Sequence, residues 1–393
     1  MKITIINPDL SSNCLGRSYF LAKVLKRKYE VEIVGPFFGD GIWPPVSGDS
    51  TVEYKAVDCR AYLSPLIRIR QILGAISGDV IYVSKPLLTS LGIALLYRRR
   101  RKVPFVIDIE DWQLGFYKEL LKTYPLYKKI AYMLYSIIFF YRTNSYFNSW
   151  IMERFIDWAE AVTVSNSFLK KKYGGEVIVH ARDTDRFDPE KFQREDVRRE
   201  KGIALGKKVV MFLGTPRTYK GLEDLARAVS MIEDPEVMLL VVGISKDWYS
   251  HKFDDFALRL LGRQGYIGLP MQPFEEIPEF LAAADVVAIP QRMNLATVGQ
   301  IPAKVFDAMA MAKPIVSTDV SDMKEILKGC GWVVKPGDPG AIAEAIEEIF
   351  ADPEKAQRMG EEARKRCIEK YSWDATGGIM QKVFGKYEEG NAA

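Results

Sequence analysis

The stretch 208–229, KVVMFLGTPRTYKGLEDLARAV, constrains the fold more than any other part of the chain. Residues 209–213 form a continuous apolar run, with the length and character of a strand buried on both faces. Gly214 ends the run, and a loop carries Pro216, Arg217 and Lys220 to Gly221. Leu222, Leu225, Ala226 and Val229 then recur at helical spacing. Strand, glycine turn and helix start together make an anion site, because unpaired amides and the helix dipole both face the loop. Arg217 and Lys220 add two cations, which suits a diphosphate better than a single carboxylate. The plain alternative is an ordinary strand–helix connection with two solvated basic residues. The pattern is neither a P-loop nor a GxGxxG fingerprint.

Comparable apolar runs recur at 3–6, 31–34, 80–83, 103–107 and 161–165, and again at 237–242, 285–289, 315–317 and 332–334. Helical patterns lie between many of them, which predicts an α/β fold with doubly wound sheets. At 393 residues the chain is long enough for two domains, each with its own core. A net charge of +4 is too small to argue for a nucleic-acid partner. Cys14, Cys59, Cys330 and Cys367 are scattered without CxxC spacing, which suggests neither a zinc site nor a disulfide framework. With only His180 and His251, a multi-histidine metal centre is excluded. Residues 1–10 read as a strand ending at Asn7-Pro8-Asp9 and not as a signal peptide. No run reaches the roughly 20 apolar residues of a membrane span, so a cytoplasmic chain is expected.

Chemistry-bearing residues concentrate where strands of an open sheet end. Gly16 and Arg17 follow the first strand, with Gly16 expected in the loop before a helix that turns Phe20, Leu21, Val24 and Leu25 inward. A glycine needed only for a turn reads equally well there. Asp108, Glu110 and Asp111 follow the run at 103–107. Three carboxylates this close cannot all ionise comfortably in a cleft, so one is expected to titrate high enough for acid–base work. The alternatives are a helix start capped by Glu110 or Asp111, or oxygen ligands for Mg²⁺ or Mn²⁺. Arg98 to Lys102 form a basic run, read either as a solvated face or as attraction to anionic lipid. Residues 124–158 combine Lys128, Lys129 and Arg142 with the uncharged run 130–141 of 12 residues and with Trp150 and Trp158. That run is too short to span a bilayer and suits a buried helix or one lying in the membrane interface.

GTPRTYKGLEDL resembles the donor-phosphate loop of GT-B glycosyltransferases of the family 4 type, G-x-x-x-x-x-K-G-x-x-x-L. Lys220 falls on the family lysine. The family arginine follows the first glycine, where this chain has Thr215, with Arg217 two residues further on. Residues 279–291, EFLAAADVVAIPQ, resemble the family closely. HARDTDRFDP resembles its hinge segment N-G-V-D-T-x-x-F-x-P, with His180, Ala181 and Arg182 in place of Asn-Gly-Val. The segment 108–112, DIEDW, resembles a subgroup reading D-I-D-D-W and lacks the histidine that many members carry nearby. Of the family's paired glutamates, eight positions apart, the first is Gly299 here and the second is Asp307.

The resemblance implies a GT-B fold, two Rossmann-like doubly wound domains facing across a cleft. Residues 1–195 would form the acceptor-side domain with the basic and aromatic helices, and 196–372 the nucleotide-sugar domain. Residues 373–393 would form a helix crossing back to the first domain, and 190–208 the linker. It implies transfer of a sugar from a nucleotide-diphosphate sugar, the co-substrate, with no further cofactor. The acceptor would be a hydroxyl of a saccharide or lipid-linked molecule, in surface polysaccharide or glycan synthesis on the inner face of the membrane. Metal independence and retention at the anomeric carbon are implied with it. Arg217 and Lys220 would neutralise the departing diphosphate, with Asp108, Glu110 and Asp111 towards the acceptor, which also meets Gly16 and Arg17. Gly214, Thr215, Lys304 and the backbone of Gly299, Gln300 and Ile301 would line the donor. Gly268, beside Tyr266 and Ile267, would lie at the base, and Asp307 on the ribose hydroxyls. For Asp307 the alternative is an i, i+3 ion pair with Lys304, worth tenths of a kcal/mol. A metal-dependent transferase or hydrolase built on the three carboxylates, and a catalytically silent membrane scaffold, are the readings from other classes. An epimerase or phosphorylase on the same fold is not separable by sequence.

Overall fold

The computed structural model describes residues 1–388, which divide into two compact units, Met1–His180 with the segment from Thr376 on, and Ala181–Ala375. The first unit holds seven parallel strands: β1 (Lys2–Ile6), β2 (Glu30–Phe37), β3 (Glu53–Asp58), β4 (Val80–Ser84), β5 (Phe105–Ile109), β6 (Ala161–Val164) and β7 (Glu176–Val177). Their order is β3-β2-β1-β4-β5-β6-β7. The second holds six: β8 (Lys208–Leu213), β9 (Val237–Ile244), β10 (Tyr266–Pro270), β11 (Val286–Ile289), β12 (Ile315–Thr318) and β13 (Trp332–Val334), in the order β10-β9-β8-β11-β12-β13. Every pairing in both sheets is parallel.

Apart from 332–334, which becomes the edge strand β13, the apolar runs read from sequence become inner strands, covered on both faces. Val209 to Met211 are fully buried, and Phe212 and Leu213 keep 5% of their surface. Side chains so covered are worth ~1.5–3 kcal/mol each relative to exposure. The helix Leu222–Met231 lays Leu222, Leu225, Ala226 and Val229 on this core, the face its spacing predicts. In the first unit the terminal helix Trp373–Phe384 buries Phe384 against Tyr82, ring centroids 5.1 Å apart, and Tyr29 donates to Glu388 at 2.5 Å.

Several expectations are corrected. The change between units falls at His180 and Ala181, not at 195, because the stretch expected as linker carries the helix Arg194–Glu200, which packs on the helix Ile277–Ala283 of the second unit. Its buried Arg198 binds Asp285 at 2.7 Å. Gly16 lies inside the helix Cys14–Leu25 and not in a loop, and a Cβ there would approach the Trp43 ring to 3.3 Å. The strand expected at 103–107 is found at Phe105–Ile109, which draws Asp108 into the sheet. Of the expected terminal segment 373–393, residues 389–393 lie outside the described residues.

Candidate active site

An open parallel sheet binds ligands beyond the carboxyl ends of its strands, where the strand order reverses. That point lies between β8 and β11 in the second unit and between β1 and β4 in the first.

In the second unit Gly214 leaves β8 at φ +130°, packed on Gly243, the last residue but one of β9, at φ +127°. A Cβ on Gly243 would stand 2.7 Å from the Gly214 carbonyl carbon, so the close approach of the two backbones needs glycine. Gly221 ends the loop at φ +68°, where a Cβ would meet Pro290 O at 1.8 Å. Between these fixed points Lys220 folds back, and its Nζ donates to the neutral carbonyl of Thr215 at 2.8 Å. Burial, then the charges of Lys304 and Arg217, press its pKa down to about 7. Arg217 pairs with Asp247 at 2.7 Å on the rim, and Lys304 stands 3.3 Å from Asp307. The helix start contributes less than the sequence suggests. Glu223 and Asp224 already occupy its first turn, and Asp224 is held by Arg292 through two bonds of 2.8 Å. These carboxylates offset the dipole, so the pull on an anion comes chiefly from Lys220, Lys304 and Arg217.

Asp307 is fully buried in the helix Lys304–Ala310, with one oxygen on Arg182 Nε and the other towards Lys304. The two cations hold its carboxyl below the usual range although burial pushes it up. No surface is left for ribose hydroxyls, which corrects the expected role. The ion pair with Lys304 is present, joined by an arginine that sequence reasoning read only as a departure from the hinge motif. Of the three loop amides expected at the phosphate, that of Gln300 is spent on Thr297 O at 3.1 Å, and Ile301 is buried. Gly268 lies in β10 at the sheet edge, where a Cβ would strike Asp254 at 2.3 Å and the Tyr266 hydroxyl at 2.6 Å.

In the first unit the three carboxylates separate into two groups. Asp108 is buried and grips Arg17 through bonds of 2.7 and 2.8 Å, while Thr163 donates to it at 2.8 Å and Arg17 reaches Ile178 O at 2.7 Å. Arg17 and Asp108 are therefore a closed internal pair that fastens the first helix to the sheet, not acceptor-facing groups. Glu110 and Asp111 share Lys85, at 3.0 and 2.9 Å, and His180 Nε2 lies 3.1 Å from Glu110. These four side chains keep between 7 and 16% of their surface, enough to face a ligand. Burial alone would strip the proton from Lys85, but Asp111 and Glu110 hold its pKa well above the ordinary range. Burial likewise pushes Glu110 up, and Lys85 and His180 overcome it, so Glu110 stays ionised. At Glu110 the expectation of a raised carboxyl is corrected, because Lys85 and His180 outweigh its burial. Two of the three would also have to give up these cations before ligating a metal, so the donor set fits the metal-dependent reading poorly. Among the described residues no group of three or more His, Cys, Asp and Glu is placed to hold a metal ion.

An imidazole bonded to an ionised carboxylate is suited to take a proton from a hydroxyl in a fixed orientation. Lys85 and His180 were missed as site residues. The signal for Lys85 was its place after β4 beside the switch point, reached through a strained left-handed backbone at φ +64°.

Two Rossmann-like parallel-sheet domains make this a GT-B fold, and it superposes on Anabaena HepE, solved in complex with UDP and glucose, with a TM-score of 0.76 at 17% identity, covering 98% of this chain and 100% of that one. Residues 193–366, most of the second unit, match the family model of glycosyl transferases group 1. The D-inositol 3-phosphate glycosyltransferase of Corynebacterium jeikeium is 30% identical over 220 residues, 53% of this chain and 51% of the relative. An uncharacterized glycosyltransferase of Methanocaldococcus jannaschii is 28% identical over 184 residues, 46% of each chain. The chain spans about half the length of the curated relatives it matches.

Proposed function

We propose that the protein transfers a hexosyl group from a nucleotide-diphosphate sugar to a hydroxyl of a saccharide or lipid-linked acceptor, in surface polysaccharide or glycan synthesis. The observation that carries this reading is Lys220, folded inward with a carbonyl for a partner and pressed towards neutrality by Lys304 and Arg217. A buried lysine crowded by two further cations and bonded to a neutral carbonyl favours an incoming anion, and a diphosphate supplies it. In the transfer the bond between the anomeric carbon and the diphosphate oxygen breaks. The diphosphate leaves with the electron pair, and the acceptor oxygen bonds to the carbon as its proton departs. Lys220, Lys304 and Arg217 stabilise the charge that develops on the leaving group, a role that needs no metal. The Lys85–Glu110–His180 cluster receives the acceptor hydroxyl and its proton. Retention at the anomeric carbon follows from the family resemblance and is tested by the anomeric configuration of the product.

Membrane contact belongs to the same reading. The helix Leu126–Ile138 buries only Ser136, and leaves Leu126, Ile130, Leu134 and Ile137 more than half exposed beside Lys128 and Lys129. An apolar stripe with lysines beside it is the composition of an in-plane interfacial helix. No helix among the described residues is long and apolar enough to cross a membrane. We place the protein at the inner face of the membrane, where a lipid-linked acceptor is presented. Co-sedimentation with phosphatidylglycerol vesicles, lost in Leu134→Asp, is the expected result, and binding unaffected by that change would remove the helix from the contact.

A further inference from the structure

The first unit contains an apolar cavity of about 220 Å³, walled by Pro65, Leu66, Ile69, Leu88, Ile93 and Leu96. Two hydroxyl-bearing residues also reach it, and both are engaged: Thr89 donates to Pro8 O at 2.9 Å, and Tyr141 accepts from the Leu63 amide at 3.2 Å. Such walls offer a polar occupant little in exchange for its water. The volume is below the ~300–1,000 Å³ of a pocket for a whole small molecule, and suits the end of one hydrocarbon chain.

Two features of its surroundings say which chain. Leu66 and Leu96, the exposed members of the lining, mark its mouth. Ile67 and Tyr62, close by in the chain to Leu66, are exposed too, and Tyr62 donates to Ile138 O at 3.3 Å at the end of the interfacial helix. Exposed cations adjoin these walls along the chain: Arg68 and Arg70 flank Ile69, and Arg99 to Arg101 end the helix that supplies Ile93 and Leu96. An anionic amphiphile matches that distribution. The second feature is the loop after β4. Lys85 begins it and binds Glu110 and Asp111, and Ser90 ties back to Lys85 O at 2.6 Å. Leu88 and Gly92, in the π-helical turn Leu88–Gly92, line the cavity. One short loop thus serves the polar cluster and the apolar cavity together, as a molecule with a polar head and a hydrocarbon tail requires.

We propose that this cavity binds the hydrocarbon chain of an anionic lipid-linked acceptor whose head is presented to the Lys85–Glu110–His180 cluster. The proposal rests on the glycosyl-transfer reading for the word acceptor, and on the cavity alone for the chain. It excludes a bulk bilayer lipid as the occupant.

The test uses the full chain and a series of inorganic, butyl, octyl and dodecyl phosphate, kept below micelle-forming concentrations and followed by calorimetry. Affinity should rise by up to roughly four-fold per buried methylene and then level off once the chain outgrows the cavity. Leu96→Trp, which fills the mouth, should flatten the series while leaving UDP binding and vesicle binding unchanged. If that variant does not fold, Gly92→Ala serves, since its Cβ would stand 2.9 Å from Leu88 Cδ1 and press that side chain into the cavity. A response independent of chain length overturns the proposal. So does a series unchanged by both variants but lost in Leu134→Asp, which would put the chain on the exposed helix. Vesicle binding lost in Leu96→Trp would instead assign the cavity to a bilayer lipid. A normal chain-length series in a protein that binds no nucleotide would overturn the acceptor assignment and the glycosyl-transfer reading, but not the chain site.

Discussion

Raising the pH from 7 to 9 should weaken UDP binding about fifty-fold, because Lys220 enters the titration at about 7 instead of near 10.5. In the free protein its ammonium is about half formed at pH 7 and about one part in a hundred at pH 9. A diphosphate binds the protonated form, so above pH 7 each binding event must also take up a proton. The UDP phosphates, with a second pKa near 6, are fully ionised across this range and do not compete in the titration. The sign for folding is opposite. A lysine whose folded pKa is depressed binds fewer protons folded than unfolded between about 7 and 10.5, so the stability of the free protein rises with pH through that window. Titration calorimetry in two buffers of different ionisation enthalpy reads UDP affinity and proton uptake, and uptake should approach one per UDP near pH 9. Lys220→Ala should bind weakly at every pH, without uptake. Lys220→Arg, charged throughout, should bind without the pH slope. UDP affinity that is flat from pH 7 to 9, or the same slope in Lys220→Ala, would refute the argument.

Other positions give sharper local tests. Lys304→Ala removes one of the charges that depress Lys220, so the midpoint of the pH dependence should move above 7 while maximal affinity falls. Asp108→Asn should destabilise the protein by about 3–5 kcal/mol in urea unfolding, because it leaves the Arg17 guanidinium buried without a counter-charge. Activity in the surviving folded fraction should be close to normal. Glu110→Gln and His180→Asn should lower turnover by ~10²-fold or more while UDP affinity holds, since they act on the acceptor proton. EDTA should leave transfer unchanged, and loss of activity restored by Mg²⁺ or Mn²⁺ would return the carboxylates to the metal-dependent reading.

The strand pattern was legible because parallel strands buried on both faces must be continuous apolar runs. It located the inner strands of both sheets and the amphipathic helix after β8. The edge strands were harder. Glu53–Asp58 mixes charged with apolar residues and covers little, and within Tyr266–Pro270 only Tyr266, Ile267 and Gly268 were read, as a contact to the nucleotide base. The donor loop was legible through its glycines, whose close backbone approaches leave no room for a Cβ. What sequence did not disclose was pairing. Arg17 with Asp108 and Arg182 with Asp307 join residues 91 and 125 positions apart, and no local spacing reveals such partners. The same blindness made Asp108, Glu110 and Asp111 look like one crowded cluster, when the fold gives Asp108 to Arg17 and lets Glu110 and Asp111 share Lys85. His180 was visible as one of two histidines, but its carboxylate partner became visible only once β5 and the end of β7 were adjacent to the same site.

The central claim is that the Lys220 loop holds a nucleoside diphosphate, and a thermal-shift panel tests it most directly. UDP, GDP, ADP and CMP with their common sugars would be compared on the wild type and on Lys220→Ala. A rise in melting temperature with one nucleotide family, absent in the variant, is the predicted result and would name the donor class at the same time. No shift with any of them, or a shift of equal size in Lys220→Ala, would contradict the assignment.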